Sequence, residues 1–131
     1  MSTLIEQKAI KFLTDEFKSE NFIFEKSEKN SGYDLIMKNK LTGEITSIEL
    51  KATNKCNSQN MHMGNVVFST LKEAELFEQG LTKILRVFLG DEPPKIFLFD
   101  NRILANGAKL EQEYRSTIKG KKNYTSVSQI N

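Results

Sequence analysis

Two short segments of alternating polarity constrain the fold of this chain more than any other feature. Residues 33–38 (YDLIMK) and 44–52 (EITSIELKA) flank the stretch 40–43 (KLTG). Alternation of apolar and polar residues is typical of a β-strand, in which successive side chains point to opposite faces of the sheet. A glycine at the end of a short polar connection favours a hairpin turn. The two segments therefore predict a β-hairpin within a larger sheet.

The segments around the hairpin predict further helices and strands. Residues 3–18 place their apolar side chains in an arc of about 160° on a helical wheel, which indicates an amphipathic helix. Thr70 and Glu73 form a capping box at the start of a second predicted helix, which covers residues 71–79 and ends at Gly80. Other apolar segments predict strands over 22–26, 83–89 and 95–99. The order is helix, three strands, helix, two strands, which predicts an α/β sandwich around a mixed sheet.

The composition indicates the class of protein. The chain has 131 residues and a formal net charge of +2, which excludes a strongly basic histone-like protein and an acidic tail protein. Its one cysteine excludes an intrachain disulfide and a cysteine-based zinc finger. Early charges argue against a signal peptide, and no apolar run reaches the roughly 18 residues of a membrane helix. We expect a soluble, cytoplasmic protein in which residues 1–131 form one domain, with a more polar, basic C-terminal segment at 102–131.

Charged side chains converge at one end of the predicted hairpin. Glu49 and Lys51 lie two residues apart on one strand, so they share a face of the sheet. Asp34 lies on the neighbouring strand, and the hairpin can bring it next to Glu49. Two close carboxylates repel each other and favour a divalent cation such as Mg²⁺ or Mn²⁺, which keeps water and substrate phosphate oxygens in its shell. With a lysine nearby, this arrangement suits the hydrolysis of a phosphodiester bond.

The tripeptide Glu-x-Lys carries little information by itself. It occurs three times, at residues 6–8, 16–18 and 49–51. The first two lie on the predicted helix, where residues two apart diverge by about 200° and cannot form a joint site. Only the third lies on a predicted strand and follows a Gly-Tyr-Asp sequence at the distance of a hairpin.

These residues resemble the PD-(D/E)xK nuclease superfamily, and in particular the domain found at the C-terminus of the plant protein NO VEIN and in many bacterial proteins. The similarity covers roughly residues 4–99. Its features are an early helical glutamate, a GYD strand, an IE-x-K strand and a Ser/Thr-led helix, which here are Glu6, Gly32 to Asp34, Ile48 to Lys51 and Ser69 to Glu75. Tyr33 stands where the superfamily's name has proline, at a position that varies widely.

The resemblance implies a restriction-endonuclease-like three-layer sandwich and a metal-dependent endonuclease, with DNA as the expected substrate. By the same analogy, Asp34 and Glu49 would bind Mg²⁺ or Mn²⁺ together with the carbonyl of Leu50. Lys51 would be the catalytic lysine, and Glu6 would be an accessory carboxylate. Cleavage of both strands of a duplex usually takes two active sites, so we expect a homodimer.

Basic residues outside this site are candidates for contacts with nucleic acid. They are Lys55, in the polar stretch after the Glu-x-Lys strand, and Arg115, Lys119, Lys121 and Lys122 in the C-terminal segment. Tyrosines lie among the C-terminal basic residues, which suits stacking against bases. A charged, solvated helix followed by a loose tail explains the same composition equally well.

Two other functions fit the residues of the hairpin. The fold could be a noncatalytic module that binds nucleic acid or a protein partner. It could also be a structural domain whose charged strand face stays hydrated and contributes little to stability. Binding of a divalent metal between Asp34 and Glu49 distinguishes the nuclease from both alternatives.

Overall fold

The computed structural model describes residues 4–27, 34–54, 66–68, 70–105, 109–112, 116–119 and 127–130. The helices are α1 (Leu4–Lys11), α2 (Leu71–Glu78) and α3 (Arg102–Ala105), and a π-helical turn over Phe12–Glu16 continues α1. The strands are β1 (Phe22–Lys26), β2 (Leu35–Asn39), β3 (Ile45–Thr53), β4 (Val66–Phe68), β5 (Lys83–Phe88), β6 (Lys95–Phe99), β7 (Lys109–Gln112), β8 (Ser116–Lys119) and β9 (Val127–Gln129). No helix within these ranges is long and apolar enough to cross a membrane.

A mixed six-stranded sheet, in the order β1-β2-β3-β5-β6-β9, forms the centre of the fold. β1, β2 and β3 pair in antiparallel fashion, whereas β3 and β5 are parallel. Parallel neighbours need a crossover connection, and β4 and α2 lie on the chain between β3 and β5. β4 also pairs with β8, and β8 with β7, in a second, three-stranded sheet. The Glu-x-Lys strand, β3, is therefore an inner strand of the main sheet.

The main sheet carries a hydrophobic core on each face. On one face, Ala9 and Leu13 from α1 and the following turn share a core with Ile48 and Leu50 of β3. On the other face, Phe77 of α2 belongs to a core rich in phenylalanine. Side chains alternate along a strand. The residues of β3 that alternate with Ile48 and Leu50 therefore point to the other face of the sheet, toward α2. These residues are Glu49 and Lys51.

Several predicted elements have the expected bounds. β1 and β6 coincide with the predicted strands, and the hairpin closes through a turn in which Asn39 Oδ1 accepts hydrogen bonds from the N–H groups of Leu41 and Thr42 at 2.9 and 3.1 Å. Gly43 in this turn has φ +76°, a backbone conformation that favours glycine. Thr70 caps α2, since its Oγ1 accepts from Glu73 N–H at 3.2 Å. The predicted mixed α/β sheet is confirmed.

The structure differs from the predicted order at three places. The helix predicted over 3–18 changes to a π-helical turn after Lys11, because apolar spacing does not distinguish the two helix types. A short strand, β4, precedes α2. In the segment 102–131, the alternative of a charged helix and a loose tail is wrong, because β9 pairs with β6 in the main sheet. Strands of three or four residues are too short for periodicity to reveal.

Candidate functional site

The β2–β3 hairpin places Asp34 beside Glu49. The antiparallel register of the hairpin ends with Leu35 opposite Ile48, and Asp34 directly precedes Leu35 at that end, close enough to Glu49 to raise the pKa of its carboxyl group. Asp34 N–H donates a hydrogen bond to the carbonyl of Ile48 at 2.8 Å, which ties this residue to β3 although β2 begins one residue later. Asp34 Oδ2 accepts a hydrogen bond from Leu50 N–H at 2.8 Å. These two bonds hold the Asp34 carboxylate in one orientation against β3.

Glu49 and Lys51 are in direct contact on the α2 face of β3. Lys51 Nζ lies 3.2 Å from Glu49 Oε1. The side chains of Lys51 and Glu49 are 13% and 5% exposed, respectively, so the contact is largely buried. The predicted pair therefore exists as a partly buried unit, unlike a hydrated charge pair on an open sheet face.

Glu73, a residue that the sequence analysis placed only in a capping box, is the third carboxylate of the site. It lies in the first turn of α2, and its Oε1 is 3.9 Å from Lys51 Nζ. Its Oε2 accepts a hydrogen bond from the Thr70 hydroxyl at 3.2 Å. The crossover between β3 and β5 brings this helix start over the Glu-x-Lys strand, which sequence spacing does not reveal.

The surroundings of Glu49 disfavour its charged form. The pKa of Glu49 is raised from 4.5 to about 9, chiefly by burial; Lys51 lowers it, and the nearby carboxylates of Asp34 and Glu73 contribute to the rise. Lys51 therefore offsets only part of the desolvation. In the absence of another cation, Glu49 is protonated at neutral pH.

A second cation lies next to Lys51 on the same face of the sheet. In the parallel pairing of β3 and β5, Lys51 is the register partner of Arg86. Arg86 is 8% exposed, and its guanidinium carbon lies 5.5 Å from the centre of the Phe88 ring. Lys51 Nζ lies 5.3 Å from the ring of Phe68. Each cation thus lies within cation–π distance of a phenylalanine ring.

The residues of the site fit a small divalent cation in chemistry and in number. Within the described ranges, no group of three or more His, Cys, Asp or Glu side chains could hold a metal ion. A Mg²⁺ site needs fewer, because one or two carboxylates suffice when water and substrate phosphates complete the shell. Asp34 and Glu49 supply two carboxylates. A buried glutamate crowded by like charges is also a group whose ionised form a divalent cation would stabilise.

Of the remaining predicted site residues, three lie within the described ranges and the others outside them. Glu6 is half-buried on α1, which packs on the opposite face of the sheet from Glu49 and Lys51, and its accessory role stays a prediction. Leu50 is buried in the core on the α1 side, with its N–H bonded to Asp34. Lys119 ends β8. The other candidate contacts for nucleic acid lie outside the described residues: Lys55, Arg115, Lys121 and Lys122.

Comparison with known proteins identifies the family. Residues 5–79 match the family model described as "Protein NO VEIN, C-terminal". The match spans more than half of the chain and includes the hairpin, the Glu-x-Lys strand and α2. No curated protein and no solved structure matches the chain. The chain belongs to the NO VEIN C-terminal family.

Proposed function

We propose that this member of the NO VEIN C-terminal family is a metal-dependent nuclease with the restriction-endonuclease-like layout implied by its resemblance to the PD-(D/E)xK superfamily. The observation that carries the proposal is the pair of carboxyl groups, Asp34 and Glu49, at the open end of the β2–β3 hairpin, with Lys51 Nζ 3.2 Å from Glu49 Oε1. Two nearby carboxyl groups repel each other when both are ionised, and a buried carboxylate needs compensation. A cation between the two carboxylates provides that compensation.

Asp34 and Glu49 would hold Mg²⁺ or Mn²⁺, with the Leu50 carbonyl as the further ligand that the resemblance implies. When bound, such an ion lowers the pKa of a coordinated water and stabilises negative charge on a phosphodiester. Asp34 is prepared for this role, because the hydrogen bond from Leu50 N–H fixes its carboxylate before any ligand arrives. Glu49 Oε carries a proton that it must release to become a ligand.

Lys51 supplies the positive charge for the reaction. As water attacks the phosphorus, negative charge accumulates on the phosphate oxygens, and an ammonium held in place stabilises that charge without reorganising. The Lys51 side chain is 13% exposed, so it loses little freedom when a substrate binds.

DNA is the substrate that the resemblance favours. A homodimer would provide one active site for each strand of a duplex. The basic residues beyond the site, including Lys55 and Arg115, are candidate contacts with the phosphate backbone, which would make binding weaker as salt increases.

The test is cleavage of supercoiled plasmid, linear duplex, branched DNA, single-stranded DNA and RNA with Mg²⁺, Mn²⁺ or EDTA. Wild type is compared with Asp34→Asn, which keeps an oxygen that can accept from Leu50 N–H but removes the charge. Asp15→Asn, at an exposed position of the π-helical turn, is the matched control. Circular dichroism confirms that all three proteins are folded.

We expect metal-dependent cleavage by wild type and Asp15→Asn and its loss in Asp34→Asn. Retained nucleic-acid binding without cleavage by wild type would contradict the nuclease and favour the noncatalytic module. Absence of cleavage, nucleic-acid binding and metal binding would leave a structural domain. Cleavage that survives Asp34→Asn would place the activity elsewhere.

A further inference from the structure

Two carboxylates, one from the sheet and one from a helix, flank the ammonium of Lys51. Glu49 Oε1 is 3.2 Å from Lys51 Nζ, and Glu73 Oε1 is 3.9 Å from it. The Lys51 side chain is 13% exposed, and its ammonium lies 5.3 Å from the centre of the Phe68 ring. The ammonium thus has contacts with two carboxyl groups, one from β3 and one from α2.

Glu73 is held in place by Thr70, which lies outside the pair of Glu49 and Lys51. Its backbone N–H donates to Thr70 Oγ1 at 3.2 Å, and the Thr70 hydroxyl donates to Glu73 Oε2 at 3.2 Å. These bonds belong to the cap of α2 and use one carboxylate oxygen, while the other oxygen points to Lys51. The helix cap therefore fixes a negative charge beside the lysine without using any residue of the proposed metal site.

We propose that Glu73 is a positioning residue, which holds Lys51 in place once Glu49 has become a metal ligand. The inference rests on the nuclease proposal and extends it to a residue on a different element. When Glu49 coordinates a divalent cation, its oxygens are engaged and the cation repels the ammonium of Lys51. Glu73 then provides the carboxylate that keeps the lysine directed at the site.

Nuclear magnetic resonance of lysine ammonium groups tests this without requiring cleavage. The Lys51 signal is assigned by its absence in Lys51→Met and followed during addition of Mg²⁺. Glu73→Gln removes the charge but retains a side chain that suits a capping box. Glu75→Gln, at an exposed position of the same helix, is the control. In the Mg²⁺-loaded protein we expect exchange of the Lys51 ammonium protons to be about tenfold faster or more in Glu73→Gln than in wild type.

Single-turnover cleavage supplies the second measurement. Glu73→Gln should lower the rate by roughly tenfold to a hundredfold, the usual effect of losing a residue that orients a ligand or catalytic group. The dissociation constants for Mg²⁺ and substrate should change little. In the Lys51→Met background, Glu73→Gln should have no further effect, because its role passes through the lysine.

The outcomes separate this inference from the proposal on which it rests. If Mg²⁺ does not bind to wild type, the nuclease proposal and this inference both fail. If Mg²⁺ binds but Lys51 exchange and cleavage are the same in Glu73→Gln as in Glu75→Gln, only the positioning role fails. A large loss of Mg²⁺ affinity in Glu73→Gln, with cleavage restored by excess Mg²⁺, would make Glu73 a metal ligand and overturn the positioning role.

Discussion

Replacement of Glu49 by glutamine should stabilise the metal-free protein at neutral pH. The pKa of Glu49 is about 9 in the folded chain, against an ordinary value of 4.5 that applies when the chain is unfolded. Between these two values the folded state keeps a proton that the unfolded state has released. The free energy of unfolding therefore decreases as pH rises through this window, by about 1.4 kcal/mol per pH unit. Below pH 4.5 both states are protonated and the penalty is absent.

The size of the effect follows from the same pKa. At pH 7, about two and a half units above the unfolded value, the penalty is about 3 kcal/mol. Glutamine has nearly the same shape as protonated glutamate, and its carbonyl can accept the hydrogen bond of Lys51. We therefore expect Glu49→Gln to be more stable than wild type by about 3 kcal/mol at pH 7, a large fraction of a typical domain's 5–15 kcal/mol, and equal to it near pH 4.5.

Urea unfolding monitored by circular dichroism measures this difference. The titrations are run in EDTA from pH 5 to pH 8, so that no metal ion binds Glu49. Glu25→Gln is the control, because Glu25 is exposed on β1 and its replacement should leave the pH dependence of wild type unchanged. A stability difference between Glu49→Gln and wild type that is the same at pH 5 and pH 8 would refute the reasoning.

Three further predictions concern metal binding and packing. Because Glu49 must lose its proton to become a ligand, the affinity for Mn²⁺ should rise by up to tenfold per pH unit between pH 6 and 8; calorimetry giving a constant affinity would contradict this. Gly80 has φ +82°, and an added Cβ would lie 3.2 Å from Asn101 Nδ2, so Gly80→Ala should lower the free energy of unfolding by about 1–2 kcal/mol in urea titrations. Phe77 is fully buried, with ring centres of Phe68 and Phe99 at 5.6 and 6.1 Å. Phe77→Ala should therefore cost about 3–5 kcal/mol in the same assay, and a loss below 1 kcal/mol would show that this core is not tightly packed.

Local patterns were sufficient for the elements whose stabilising contacts are local. The strand over Phe22–Lys26 follows from its alternation, and α2 follows from its capping residue and the glycine after its end. The π-helical turn after α1 has an apolar spacing that also suits an α-helix, and the pairing of β9 with β6 joins distant parts of the chain. Neither leaves a periodic signal of its own in the sequence, so neither could be predicted from it.

The same division applies to the candidate site. Asp34, Glu49 and Lys51 could be placed together because a strand period of two and one hairpin are enough to relate them. Glu73 and Arg86 reach the site through the crossover that makes β5 a parallel neighbour of β3. Their partners are residues far away in the sequence, and only the topology of the sheet brings them to Lys51.

The position of Glu49 distinguishes a structural from a functional interpretation of the site. It is 4% exposed on an inner strand, whereas its neighbours Ile48 and Leu50 are buried on the other face with no charge to solvate. An apolar residue at this position would avoid the desolvation that raises the pKa of Glu49 to about 9. A divalent cation could replace the proton on Glu49. The nearby carboxylate of Asp34 would then attract that cation, whereas without the cation it destabilises the ionised form of Glu49. Lower stability without metal and pH-dependent metal binding are therefore two consequences of one arrangement. A protein that gains stability in Glu49→Gln but binds no metal in the wild-type form would contain a buried glutamate with a structural role, and the nuclease proposal would be wrong.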